Sequence, residues 1–245
     1  MAAKIGIGIQ SFEKIRENGY FYVDKTDFIR EWWESGDDAT LITRPRRFGK
    51  TLAMSMVEAF FSVRYAGRGD LFEELAVWKE EKYRRLQGTY PVISLSFANI
   101  KDRDFATARR KICQLLTDLY VQNSFLLEGD FLEERERQYF NTVSIDMDDA
   151  VATLALYQLS GFLARYYGKK VIILLDEYDT PLLEAYIDGF WEELVGFTRS
   201  LLNAAFKTNP SLERGAADGN NQSKQRVYFF GSEQPEGGFL EGTGE

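Results

Sequence analysis

The chain has 245 residues, of which 44% are hydrophobic and 15% aromatic, so it can bury one large core or two small ones. Its formal net charge of −8 argues against general binding of nucleic acid or anionic membranes over the whole surface. It has no histidine and one cysteine, which excludes His-based triads, His-ligated zinc or haem, and an intrachain disulfide. We see no signal peptide and no apolar run of membrane-spanning length, and therefore expect a soluble, cytoplasmic protein.

Short patterned segments occupy the beginning of the chain. Ser11 is a candidate N-cap for a short helix that begins at Phe12, and the run Gly19–Val23 is predicted to be extended. A second helix, which carries Trp32 and Trp33, is predicted after a short turn. These elements precede the first predicted core strand.

The segment Thr40–Leu52 has the order strand, loop, helix. Leu41–Thr43 is a short apolar run, a basic loop follows, and Lys50 and Thr51 open a helix of good helix formers. A phosphate-binding loop needs this order, because loop amides and the helix N-terminus donate to phosphate oxygens, the lysine neutralises charge and the threonine hydroxyl can ligate Mg²⁺. The motif is degenerate, since Arg44 occupies the first glycine position of G-x-x-x-x-G-K-[ST]. A basic surface turn before an ordinary helix is the alternative.

Periodicity predicts most of the remaining elements. Helical patterns cover residues 50–65, 105–120, 148–166 and 191–205, and an alternating strand pattern covers 92–97. Cys113 lies in one of the helical patterns and is predicted to be a small buried hydrophobe, because the chain has no histidine that could activate it.

A second motif lies far downstream. Val171–Leu175 is a run of five aliphatic residues, which predicts a strand buried on both faces of a parallel sheet. Asp176 and Glu177 follow at its carboxyl end, where ligands bind in open α/β sheets. We predict that Asp176 holds Mg²⁺, directly or through water, and that Glu177 orients or deprotonates an attacking water. A buried strand that ends in acidic surface residues is the alternative, and the combination with Gly49–Thr51 favours the nucleotide site.

Four separated motifs resemble, in the same order, those of the bacterial AAA-ATPase-like family: Gly8–Phe12, Tyr22–Thr26, Arg44–Thr51 and Leu175–Pro181. That family has an R-P-R-R-F-G-K-[ST] variant of the Walker A motif and a D-E-Y-D-x-P variant of Walker B, so Arg44 agrees with it. The resemblance covers roughly Ile5 to Glu213. Full-length members often carry a C-terminal nuclease-like domain, and nothing in this sequence corresponds to it.

The resemblance implies an α/β fold of the additional-strand P-loop NTPase type, with a mostly parallel central sheet and helices on both faces. It also implies ATP and Mg²⁺ as ligands. The residues expected to contact the nucleotide are Arg46, Arg47, Phe48, Gly49, Lys50, Thr51 and Leu52. Lys50 and Glu177 are the expected catalytic residues, and Thr51 and Asp176 the expected metal ligands.

Several residues keep two possible roles. Tyr20 and Tyr22 are candidates for covering the adenine base, with core packing as the alternative. Arg199 and Arg214 are candidates for an arginine that stabilises the transferred phosphate, with surface or helix-capping roles as the alternative. Asp179 is either an acid that supports the metal site or an ordinary turn residue.

The C-terminal part of the sequence departs from the family pattern. Residues 1–214 are predicted to form the P-loop domain without its sensor strand, and 215–245 an aberrant, largely disordered tail. A frameshift is one explanation, because suitable codons for Gly219–Ser223, read one base later, give the family's Gly-Ile-Thr-Arg. A genuinely divergent tail is the alternative. The sheet is then expected to have a central gap that only Arg226–Phe230 is apolar enough to fill.

Two main functional hypotheses follow. The first is an Mg²⁺-dependent ATPase, which Glu177 favours. The second is a nucleotide-gated binding or regulatory module with little or no turnover, which the missing sensor segment favours. A small-molecule kinase is a third, weaker possibility, because no acceptor-binding lid is recognisable. A protein or nucleic-acid partner of the full-length family is expected but not identified.

Overall fold

The computed structural model describes residues 4–6, 8–43 and 49–219. Its centre is a parallel sheet with the order β1-β4-β3-β2. The strands are β1 (Ala39–Thr43), β2 (Val92–Ser96), β3 (Val171–Asp176) and β4 (Leu212–Gly219). Because β4 separates β1 from β3, the sheet has the strand order that defines the additional-strand class. The predicted α/β fold is confirmed.

Helices lie before the first strand and between the strands, where parallel neighbours require crossovers. They are α1 (Phe12–Glu17), α2 (Asp27–Glu34), α3 (Lys50–Phe61), α4 (Glu81–Arg84), α5 (Phe105–Gln122), α6 (Glu134–Thr142), α7 (Asp149–Tyr167), α8 (Thr180–Asp188) and α9 (Trp191–Phe206). Ser11 caps α1 as predicted, because its hydroxyl accepts the Lys14 N–H at 3.2 Å. Within the described ranges, no helix is both long and apolar enough to cross a bilayer.

Two hydrophobic cores cover the two faces of the sheet. Side chains of β3 alternate between them: Val171, Ile173 and Leu175 face the core that α5, α7 and α9 build. Ile172 and Leu174 face the core built by α1, α2 and α3. All six residues of β3 are buried, as its continuous aliphatic sequence predicts. Cys113 is likewise buried in the first of these cores, as expected for a small hydrophobe.

The predicted gap in the middle of the sheet is wrong. Residues 215–219 belong to β4, and they pair with 39–43 of β1 on one side while 212–217 pair with β3 on the other. A Cβ at Gly215 would lie 2.3 Å from the Phe206 ring, so α9 covers the strand too closely for a larger residue. Pairing on both sides and tight cover therefore outweigh the low strand propensity of this Gly- and Ala-rich segment. The rest of the predicted tail, including Arg226–Phe230, lies outside the described residues.

Candidate functional site

The candidate site lies at the carboxyl edge of the sheet, where α3 begins. Gly49 precedes the helix with a φ of 75°, in the left-handed region that favours glycine, and Lys50 is the first helical residue. Predicted nucleotide contacts at Arg46, Arg47 and Phe48 lie outside the described residues. The described part of the site therefore starts at Gly49.

Lys50 connects α3 to the end of β4. Its side chain is buried, and Nζ donates a hydrogen bond to the Gly219 carbonyl oxygen at 2.7 Å. Gly219 is packed closely as well, because a Cβ there would lie 2.9 Å from Asp179 Oδ2 and 2.9 Å from the Tyr178 ring. The lysine of the loop motif thus reaches the strand that lies between the two predicted motif strands.

The two sequence motifs meet at Asp176. Thr51 Oγ1 donates to Asp176 Oδ1 at 3.2 Å, and Ser96 Oγ, from the end of β2, donates to Asp176 Oδ2 at 3.2 Å. Burial raises the pKa of Asp176 above its ordinary value, and these two hydrogen bonds oppose the rise. Thr51 lies 45 positions before Ser96 in the chain, and Asp176 lies 80 positions after it. Residues from α3, β2 and β3 therefore meet at one carboxylate.

Glu177 starts the turn after β3 in an unusual backbone conformation. Its φ of 50° lies in the left-handed region, which only Glu74 also adopts among the described non-glycine residues. Its Oε2 accepts a hydrogen bond from Thr180 Oγ1 at 3.1 Å, and its carbonyl accepts the Thr180 N–H at 3.0 Å. The side chain is half-buried at the same edge of the sheet as Asp176.

Sequence reasoning missed Asp218. Its side chain is fully buried, Oδ1 accepts the Glu177 N–H at 2.9 Å, and its carbonyl accepts the Tyr178 N–H at 3.2 Å. Burial, together with the negative charge of Asp176, raises the pKa of Asp218 to about 7. Position 218 lies in the predicted aberrant tail, so the predicted site residues do not include this acid. The signal that points to it is its place at the end of the expected sensor strand.

Other candidate residues take structural positions. The Tyr22 hydroxyl donates to the Met56 sulfur at 3.1 Å, and its ring packs edge-on against Phe12, so it contributes to the core. The Leu52 side chain packs against the same core. Asp179 occupies the N-cap position of α8 and is buried.

Arg214 is held away from the site. Arg214 stacks on the Trp33 ring at 5.1 Å and donates to the Asp37 carbonyl at 2.9 Å. It lies five residues before Gly219, which is about 16 Å along an extended strand, so it takes a structural role, which was the alternative, rather than a role at the phosphate. Arg199 is exposed on α9.

Comparisons with known proteins agree with the motifs. A family model described as "Predicted AAA-ATPase" matches residues 6–222. A curated relative from Azotobacter chroococcum mcd 1, named "Uncharacterized protein in vnfD 5'region", is 34% identical over 182 residues, which is 74% of this chain. The match spans only 30% of that relative's length. No solved structure matches.

Proposed function

The chain belongs to the AAA-ATPase-like family, and from that premise we propose that it binds ATP together with Mg²⁺ and hydrolyses it. The observation that carries the proposal is the hydrogen bond of 3.2 Å between Thr51 Oγ1 and Asp176 Oδ1. It joins the helix that follows the degenerate loop to the acid that ends the buried strand. A phosphate-binding helix and a metal-binding acid can bind the same nucleotide only when they lie together in this way.

Phosphate binding is assigned to the N-terminus of α3. The helix has 12 residues, its first-turn amides point out of the N-terminus, and Lys50 is its first residue. Lys50 now donates to the Gly219 carbonyl, so nucleotide binding is expected to exchange this acceptor for β- and γ-phosphate oxygens. Arg46 and Arg47 are proposed to brace the phosphates, and Phe48, Gly49 and Leu52 to complete the contacts around them.

The donor chemistry at Asp176 fits Mg²⁺. Thr51 and Asp176 provide hard oxygen donors, and Mg²⁺ in such sites binds one or two protein oxygens and takes its other ligands from phosphates and water. Among the residues that the structure describes, no group of three or more His, Cys, Asp or Glu side chains is placed to hold a metal by itself. When bound, the ion would neutralise charge that develops on the transferred phosphate.

Hydrolysis is assigned to Glu177. Its carboxylate is half-buried next to Asp176 and is held by the Thr180 hydroxyl. A carboxylate at this place can accept a proton from, or orient, a water that attacks the terminal phosphate. The alternative, a binding module without turnover, was favoured by a missing sensor strand, and β4 occupies that position in the sheet.

The test compares ATP affinity and phosphate release for the unmutated chain, Glu177→Gln and Lys50→Ala. We expect Glu177→Gln to keep its affinity and lose about 100-fold or more in phosphate release, because a general base typically contributes that much. Lys50→Ala should lose affinity. Glu74→Gln is the matched control, because Glu74 is exposed and has the same kind of positive φ, 71°, away from the site.

The outcomes separate the hypotheses. ATP binding without phosphate release in the unmutated chain would support the regulatory module. Absence of ATP binding, or equal affinity in Lys50→Ala, would contradict a nucleotide site at α3.

A further inference from the structure

The turn at Glu177 must be held in place by its surroundings. A left-handed φ in a residue with a side chain costs on the order of 1 kcal/mol, and such a residue persists only where neighbouring groups fix it. Glu177 is also the residue that the proposed hydrolysis places next to the attacking water. Whatever fixes its backbone therefore fixes the point from which its carboxylate reaches the site.

Asp218 accepts the amides of two consecutive residues at the start of the turn. Its carboxylate oxygen Oδ1 accepts the Glu177 N–H at 2.9 Å, and its carbonyl oxygen accepts the Tyr178 N–H at 3.2 Å. Any residue at position 218 would provide the carbonyl, whereas only a side chain with a suitably placed acceptor provides the other bond. The side-chain contribution of Asp218 can therefore be separated from that of the strand.

The surroundings of Asp218 make it a rigid support. The residue is fully buried, and it pairs with Ile42 across β1 in the middle of the sheet. Gly219 follows it, and a Cβ added there would lie 2.9 Å from Asp179 Oδ2. The loop after β3 is thus packed directly on the end of β4, with little space for the turn to shift.

We propose, on the basis of the proposed ATPase activity, that Asp218 is a positioning residue whose carboxylate fixes the strained turn at Glu177 and so directs the Glu177 carboxylate for hydrolysis. It does not contact the nucleotide in this role. Its effect passes through Glu177 and concerns the rate of the chemical step rather than ATP affinity.

The test compares Asp218→Asn, Asp218→Leu and Asp218→Ala. Asn keeps an oxygen that can accept the Glu177 N–H, so its kcat should stay within about twofold of the unmutated chain. Leu fills a similar space without an acceptor, and should lower kcat about tenfold while leaving the dissociation constant for ATP within about twofold. Ala removes the acceptor without overpacking, and serves if Leu fails to fold.

Two further measurements exclude a merely structural effect. In a Glu177→Gln background, Asp218→Leu should reduce the residual rate less than about twofold, because the two residues act as one unit. Hydrogen exchange of the Glu177 amide should accelerate in Asp218→Leu and Asp218→Ala but not in Asp218→Asn. Thermal unfolding of each variant confirms that a folded protein is compared.

The result that overturns the inference is a Leu or Ala variant that folds and turns over ATP at the unmutated rate, or an Asn variant as slow as Leu. Either leaves the ATPase proposal intact. Absence of phosphate release from the unmutated chain would overturn the ATPase proposal and this inference with it, so the two failures are distinguishable.

Discussion

Replacing Asp218 by asparagine should change how the stability of the protein depends on pH. Burial and the neighbouring Asp176 charge raise the pKa of Asp218 from an ordinary 3.8 to about 7 in the folded chain. The folded state therefore keeps this proton up to about pH 7, while the unfolded state releases it near pH 4. For a group of this kind the free energy of unfolding falls as pH rises between the two pKa values, and it is level above the upper one.

The size of the effect follows from that difference. Each pH unit in this window costs about 1.4 kcal/mol, so the two units from pH 5 to pH 7 give a ceiling of about 3 kcal/mol. Asp176 shares the titration and the site relaxes when a carboxylate ionises, so we expect about 2 kcal/mol. Asparagine has nearly the same shape, keeps an acceptor for the Glu177 N–H and carries no charge at any pH. The stability advantage of Asp218→Asn over the unmutated chain should therefore be about 2 kcal/mol larger at pH 8 than at pH 5.

The assay is urea unfolding of both chains at pH 5, 6, 7 and 8, without Mg²⁺ or nucleotide. Subtracting one chain from the other at each pH removes the titrations that they share. Asp104→Asn is the control, because hydrogen bonds from Thr107 lower the pKa of this exposed N-cap residue, so it is ionised in both states above pH 5. Its stability difference should not vary across the range. The argument that ionising the buried Asp218 destabilises the fold would be refuted in two ways. One is a stability difference between Asp218→Asn and the unmutated chain that does not vary with pH, and the other is an Asp218→Asn chain that is less stable than the unmutated chain at pH 8.

Two other changes test the geometry around Asp176 and Gly219. Thr51→Val removes the hydroxyl and keeps the side-chain shape. ATP affinity measured with Mg²⁺ should therefore fall about tenfold, while ATP affinity measured in EDTA should be unchanged. An equal loss of affinity in both conditions would contradict a metal role for Thr51. Gly219→Ala places a Cβ 2.9 Å from Asp179 Oδ2 and should cost about 1 to 3 kcal/mol in urea unfolding, whereas Gly161→Ala, with no atom within 4 Å of its Cβ, should be neutral or stabilising. A Gly219→Ala chain as stable as the unmutated one would show that the close approach is not a constraint.

The sequence predicted the elements that have a strong hydrophobic pattern. β3 and the helices α5, α7 and α9 follow from aliphatic runs and from apolar residues at helical spacing, and each is buried where the pattern requires. The meeting of Thr51 and Asp176 could be expected because parallel strands bring their carboxyl ends to one edge of the sheet. Their catalytic and metal-binding roles remain predictions.

Elements that depend on their neighbours were not predictable in this way. α6 is a polar helix with one buried residue, Phe140, and its start is fixed by a capping box between Glu133 and Glu136 rather than by an apolar face. β4 has small residues and a buried acid, and only pairing with strands distant in sequence makes it a strand. Local pattern carries no information about such partners.

The least predictable strand is also the one that joins the parts of the site. Its end provides the carbonyl that Lys50 contacts and the acceptors for the turn at Glu177, so both motifs contact it. A variant at position 218 can keep a hydrogen-bond acceptor and lose the charge. If Asp218 acts through hydrogen bonding, as we propose, Asp218→Thr should preserve catalysis wherever the shorter hydroxyl reaches the Glu177 N–H. It should also remove the dependence of stability on pH, because threonine does not titrate. Asp218→Thr therefore separates the effect of the buried charge on stability from the effect of the positioning hydrogen bond on catalysis.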